Sequence, residues 1–188
     1  VERSKTRLEK LGYFREVNVE TPAVPGTTDQ VDVNYTVEEN PSGNFLAGAG
    51  FSQSQGLVFS SSVTQENFLG TGKRVGVSFN TGDVNTVYSF SYTNPYWTVD
   101  GVSRGFDLFY RETDAQEANV SDYTTDRAGG NMRFGIPINE FDTVNLGVGV
   151  ENTALELGTA PSTQIRDFLD QEGDEFLNWY LTASWSHD

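Results

Sequence analysis

Side chains that change character at every second residue constrain this chain more than any other feature. In Lys73–Asn80 the odd positions are Lys73, Val75, Val77 and Phe79, and the even ones are Arg74, Gly76, Ser78 and Asn80. After Asp83 the phase reverses, with Tyr88, Phe90 and Tyr92 alternating against Ser89, Ser91 and Thr93. Successive residues of a strand point to opposite faces, so the segments between Leu57 and Phe90 each carry one apolar face and one small, polar face. The pattern recurs in Phe106–Tyr110, Met132–Ile138, Val144–Val150 and Leu177–Trp185. With the weaker Phe45–Ser52, this predicts about eight strands of ~8–12 residues, near the length that crosses a bilayer at a tilt. A soluble sandwich shares such alternation, and the choice between the two decides the function.

Loop lengths and aromatic placement favour the membrane barrel. Counted from Phe45, the links after even strands are short: Leu69–Gly72, Pro95–Gly101 and Asn139–Asp142. Two links after odd strands, Glu112–Asp126 and Glu156–Asp174, are long and polar. In an up-and-down meander, links of one parity fall at one end, and short turns opposite long loops mark an outer-membrane barrel. Greek-key crossings would not sort loops this way. Phe68, Tyr96, Trp97, Tyr110, Phe141 and Trp185 are expected near strand ends, where interfacial girdles sit.

Composition removes other classes. No apolar run approaches the ~20 residues of a membrane helix, and a negative mean hydropathy is compatible with a barrel because averaging hides alternation. The formal charge of −15 argues against a phosphate-binding surface, so no nucleic-acid partner is expected. Without cysteine there is neither a disulfide nor a thiolate metal site. No secretory leader is legible, and a mature or excised piece of an exported protein is expected.

The first forty residues read differently. Val1–Gly12 predicts a helix end, with Val1, Leu8 and Leu11 on one face and Gly12 in the left-handed position past it. Arg15–Glu20 and Val31–Glu38 alternate as strands around the loop Pro22–Asp29. One helix on a two-stranded hairpin is a marginal core. Asn40–Gly43 then reads as a short linker.

Ser4, Arg7-Leu8, Leu11-Gly12-Tyr13-Phe14, Val31-Asp32-Val33, Tyr35 and Val37-Glu38-Glu39 together resemble the end of a POTRA domain. The remainder of the chain resembles the BamA family of outer-membrane β-barrel assembly proteins. The resemblance rests on Gly48-Ala49-Gly50-Phe51, Gln65–Gly72, Thr93–Val102 and Phe134–Glu140, and spans essentially the whole chain. It implies that a strand and helix of the POTRA unit precede Val1 and that the family's barrel has about twice the strands counted here. Ser103-Arg104-Gly105-Phe106 is superficially similar to a loop motif of the family. It falls on a strand, so the motif's role is not carried over.

Side-chain chemistry is sparse. The single histidine, His187, sits next to the last residue and reads as an exposed turn residue, so a barrel hydrolase would have little to work with. Asp107, Arg111, Arg133 and Glu151 share the inward phase and are candidate lumen charges: a gating network, or charges solvated in a wet lumen. Asp167, Asp170, Glu172, Asp174 and Glu175 form an acidic run without EF-hand spacing, read as a solvated loop rather than a calcium or magnesium site. Asn34-Tyr35-Thr36 and Asn119-Val120-Ser121 match glycosylation sequons, a pattern expected by chance. Neither a metal site nor a cofactor is expected.

Glycine is more informative. Gly43, Gly48 and Gly50 crowd the first barrel strand, where they mark either curvature or a weakly held seam. Under the second reading the backbone of Asn44, Phe45, Leu46, Ala47, Gly48, Ala49, Gly50, Phe51 and Ser52 pairs with an incoming chain by β-augmentation.

The expected fold is therefore mainly β. It is the N-terminal part, about eight strands, of an antiparallel up-and-down transmembrane β-barrel, preceded by a partial α/β POTRA domain. The expected divisions are a POTRA part at 1–40, a linker at 41–44 and a barrel half at 45–188. The resemblance implies an insertase that folds β-barrel proteins into the bacterial outer membrane, with the POTRA part in the periplasm. Nascent barrel proteins, assembly lipoproteins and outer-membrane lipid are the implied partners. The alternatives are a POTRA–barrel secretion transporter, which the Asn67–Gly72 and Thr93–Val102 motifs lean against, and a small outer-membrane pore or adhesin.

Overall fold

The computed structural model describes residues 1–12, 14–117 and 122–187; Tyr13 of the POTRA-like motif and the Asn119-Val120-Ser121 sequon lie outside them. The chain begins with α1 (Glu2–Lys10), β1 (Phe14–Glu20) and β2 (Asn34–Glu39). Gly12 closes α1 with φ +77°, and its N–H bonds back to Glu9 O. β1 and β2 pair antiparallel, bringing Val17 against Val37 and Val19 against Tyr35. Among the described residues of this unit Val17 is the buried one, at 3% exposure. Arg15 forms an ion pair with Glu38 across the hairpin.

Eight further strands extend the chain: β3 (Gly43–Ser52), β4 (Gly56–Gln65), β5 (Arg74–Thr81), β6 (Asn85–Asn94), β7 (Ser103–Asp114), β8 (Tyr123–Pro137), β9 (Asp142–Leu157) and β10 (Glu175–His187). They form one antiparallel meander in chain order, with β3 and β10 as its two edges. Gly43 and Asn44, read as linker from the sequence, already pair with Gln65 and Thr64.

Register shows why alternation is decisive. Along successive cross-strand partners, Phe45, Val63, Val77, Phe90, Leu108, Gly130, Val150 and Trp179 fall in one row on one face. Leu46, Ser62, Ser78, Ser89, Phe109, Gly129, Glu151 and Asn178 fall in a row on the other. Leu108 is 57% exposed, Trp179 73% and Phe45 68%, so the apolar face points outward instead of closing over a core. In water such an area would be a severe liability; against hydrocarbon it is the solvated surface. The polar face is tight, with the Ser78 and Ser89 hydroxyls 2.6 Å apart.

The links at the end shared with Gly43 are residues 66–73, 95–102 and 138–141; those at the far end are 53–55, 82–84, 115–122 and 158–174. Two far-end links are thus three-residue turns. Glu112–Asp114, placed in a loop from sequence, extend β7 and pair with Asp126–Thr124. The last link, read as loop, holds α2 (Thr163–Glu172), capped by Ser162, whose hydroxyl accepts from Ile165 N. Ile165, Phe168 and Leu169 supply its apolar stripe, while Asp167, Asp170 and Glu172 occupy the same helix.

Candidate functional site: the free edge of β3

Backbone phase decides what an edge strand offers. Glu66 N donates to Ser42 O at 2.6 Å, one pair beyond the start of the β3–β4 ladder. The register runs from Gly43↔Gln65 to Ser52↔Gly56 without a bulge. Hydrogen-bonded and non-bonded pairs alternate in an antiparallel ladder, so the even residues of β3 exchange bonds with β4. Gly43, Phe45, Ala47, Ala49 and Phe51 therefore turn their N–H and C=O groups toward the free edge. The same residues send their side chains to the apolar face. Every β3 residue except Ser52 is exposed.

Packing does not require the β3 glycines. A methyl at Gly43 or Gly50 would meet nothing within 4 Å, and one at Gly48 would meet only Ser60 Oγ at 3.2 Å. Glycines of the central strands differ: a Cβ at Gly76 would lie 2.7 Å from Ser91 Oγ, and one at Gly135 2.5 Å from Ser103 Oγ. Lumen-side crowding calls for glycine there. On β3 glycine only removes side chains and adds backbone freedom, which keeps the strand loosely held.

The four candidate lumen charges all stand on the polar face, but only two meet. Arg133 Nη2 donates to Asp107 Oδ1 at 2.9 Å. Arg111 lies opposite Val87 and Arg127, and Glu151 opposite Gly129 and Asn178; neither holds an ion pair among the described residues. Beside the Asp107–Arg133 pair is a polar hollow of about 380 Å³ lined by Ser103, Arg133, Asn145 and Thr182.

His187 Nδ1 sits 2.8 Å from Asp142 Oδ1, and Trp185 Nε1 donates to the same oxygen at 3.0 Å. Ser186 points to the opposite face and donates to Thr143 O, so histidine, carboxylate and hydroxyl do not converge. No group of acidic or histidine side chains able to hold a metal is found among the described residues. Phe68, Tyr96, Trp97, Phe141 and Trp185 are all at least 36% exposed at the end where the chain enters the sheet, whereas Tyr110 stands inside β7 and bonds Asp126 at 3.1 Å.

In the sequence Arg104 stands out only within the Ser103–Phe106 motif, whose role is not carried over to it. It has the apolar phase of β7, opposite Asn94 and Phe134. Its guanidinium lies over two aromatic rings, those of Trp97 and Phe106. The parity is legible from sequence; the approach of Trp97, which comes from a turn, is not.

Residues 67–188 match the family model of the Omp85 superfamily domain, and residues 1–40 match a POTRA model described as surface antigen variable number repeat. The outer membrane protein assembly factor BamA of Neisseria meningitidis serogroup B is 35% identical over 100% of this chain and 25% of its own length. BamA of Buchnera aphidicola is 26% identical over 82% of the chain and again 25% of its own length. The chain thus spans about a quarter of these relatives. Among solved structures, BamA from Haemophilus ducreyi lacking POTRA domains 1–3 superposes with a TM-score of 0.68 at 26% identity, covering 100% of this chain and 37% of that one. CdiB from Acinetobacter baumannii gives 0.64 at 14% identity with the same coverages, a likeness of fold alone.

Proposed function

The chain belongs to the Omp85 superfamily of outer-membrane β-barrel proteins, and on that premise we propose that it is the strand-templating part of an outer-membrane insertase. An incoming barrel protein adds its edge strand to β3. It bonds to the outward N–H and C=O groups of Phe45, Ala47, Ala49 and Phe51, within the Asn44–Ser52 segment. Main-chain pairing does not depend on client sequence, which suits a machine that serves many clients. No covalent chemistry and no cofactor enter this scheme.

One observation carries the reading: the outward phase of β3 coincides with exposed backbone and with glycines that no neighbour requires. A long, apolar, unblocked edge is what soluble proteins suppress, because it recruits other strands. In this reading the POTRA part stands in the periplasm and delivers clients toward the end where β3 begins. Assembly lipoproteins are its partners there, as the resemblance implies.

The test uses the full-length protein in lipid vesicles, with the folding rate of an added barrel client as the readout. Ala47→Pro and Ala49→Pro each remove one outward donor, and the loss of a single backbone bond slows client folding by about 2–10-fold. Phe45→Ala, which leaves the backbone intact, has a smaller effect. Equal tolerance of the two kinds of change contradicts templating. Unchanged client folding together with lost export of a passenger protein indicates a secretion transporter instead.

A further inference from the structure

Among the arginines of the barrel strands, Arg74, Arg111, Arg127 and Arg133 have the lumen phase, and Arg104 alone has the apolar one. A cation on the lipid face is costly at mid-bilayer and tolerable only near an interface. Arg104 is the second residue of β7, next to the turn at 95–102. The exposed rings of Tyr96, Trp97, Phe141 and Trp185 lie at the same end of the sheet.

The guanidinium is held but not neutralised. Its central carbon lies 4.9 Å from the Trp97 ring centre and 5.2 Å from that of Phe106. Trp97 is itself braced on Phe134, with ring centres 5.7 Å apart. Nε is buried without an acceptor, and Arg104 takes part in none of the ion pairs seen among the described residues. At the far end of the same face Glu112, Asp114 and Asp126 share the apolar phase, whereas at the turn end the Asp142 carboxylate of that phase is taken up by His187, Trp185 and Asn139.

We propose that Arg104, clamped by Trp97 and Phe106, binds the phosphodiester of a phospholipid headgroup in the leaflet at the turn end of the barrel. The planar fork of N–H donors matches two phosphate oxygens, and the rings hold its plane while the acyl chains lie along Leu108 and Phe106. The inference rests on the membrane-spanning reading but not on client templating. Free phosphate offers the same chemistry without the acyl chains, so the two sources must be separated.

The full-length protein in detergent is titrated with dioleoyl-phosphatidylglycerol, and retained lipid is counted by native mass spectrometry. Arg104→Gln is expected to weaken retention about tenfold, and Arg104→Lys by less, since it keeps the charge but loses the fork. Dioleoylglycerol, which lacks the phosphate, is expected to bind both forms weakly and alike. Inorganic phosphate at the lipid concentration is expected to displace nothing. If Arg104→Gln fails to show the heat-modifiable mobility of a folded barrel, Trp97→Leu replaces it, with about a threefold loss expected from removing one ring of the clamp. Undiminished lipid retention in the folded variant used, equal retention of dioleoylglycerol, or displacement by inorganic phosphate overturns the proposal. No client is present, so a failure here leaves the templating reading untouched.

Discussion

Arg133 grips Asp107 with two nitrogens, Nη2 at 2.9 Å from Oδ1 and Nε at 2.5 Å from Oδ2. The two are not directly opposite in the ladder: Arg133 faces Gly105 and Asp107 faces Asn131. The diagonal is open because Gly105 has no side chain; a Cβ there would lie 3.2 Å from Arg133 Nη2. The pair is wet, with Arg133 51% and Asp107 26% exposed. A double-mutant cycle with Asp107→Asn and Arg133→Gln should therefore give a coupling of only about 0.2–1 kcal/mol, shrinking with salt. Urea unfolding in lipid vesicles measures it, and a coupling above about 2 kcal/mol would mean that the lumen side is dry.

The backbone phase of β3 separates its own stability from its availability. Leu46 and Gly48 bond inward to β4, whereas Ala47 and Ala49 turn their N–H and C=O groups to the free edge. Leu46→Pro and Gly48→Pro remove a ladder bond and should loosen β3 from β4, lowering barrel stability by about 1–3 kcal/mol. Ala47→Pro and Ala49→Pro leave that ladder whole. Hydrogen exchange of the β4 amides should rise for the first two variants and stay near wild type for the second two. The same exchange pattern for all four would show that the phase is wrong.

On the lumen face the Tyr180 ring fills the space a side chain at Gly149 would need, and Thr182 does the same at Gly147. Gly149→Ala should destabilise the barrel by about 1–3 kcal/mol through overpacking. Adding Tyr180→Ser should recover most of that loss. Gly50→Ala, with nothing within 4 Å, should be neutral or slightly stabilising because it reduces unfolded-chain entropy. Thermal shifts of the three proteins in one detergent decide the matter.

Much of this architecture is legible in the sequence because a period of two assigns every residue to a face once a single row is known. Val77, Phe90, Leu108 and Trp179 can be placed outward from sequence, and Asp107 and Arg133 inward. Pair geometry is not legible, since register between β7 and β8 is set by the turn and not by either strand alone. Arg111 has the same phase as Asp107 but ends opposite Arg127. α2 escapes a reading for charge because its acidic residues mask a sound helix signal: Ser162 as cap, Ile165, Phe168 and Leu169 at helical spacing, and Gly173 at φ +86° after it. Arg104 shows the other boundary, a strand residue whose partner comes from a turn.

The turn after β4 has a mechanism that its sequence already suggests. Asn67 and Leu69 both adopt φ +50°, a left-handed conformation that non-glycine residues seldom take. Asn67 is suited to it, and its Oδ1 accepts a bond from Gly72 N at 2.7 Å, tying the turn across its base. Glu66 and Arg74 add an ion pair at 2.9 Å beside it. Asn67→Gly keeps the backbone freedom and loses only the side-chain bond, a cost of about 0.5–1.5 kcal/mol. Asn67→Ala loses the bond and adds left-handed strain of about 1–2 kcal/mol, so it should be the worse of the two. Unfolding midpoints of both variants in the full-length protein test the order. If alanine proves as stable as glycine, the positive φ at Asn67 is not what the turn demands.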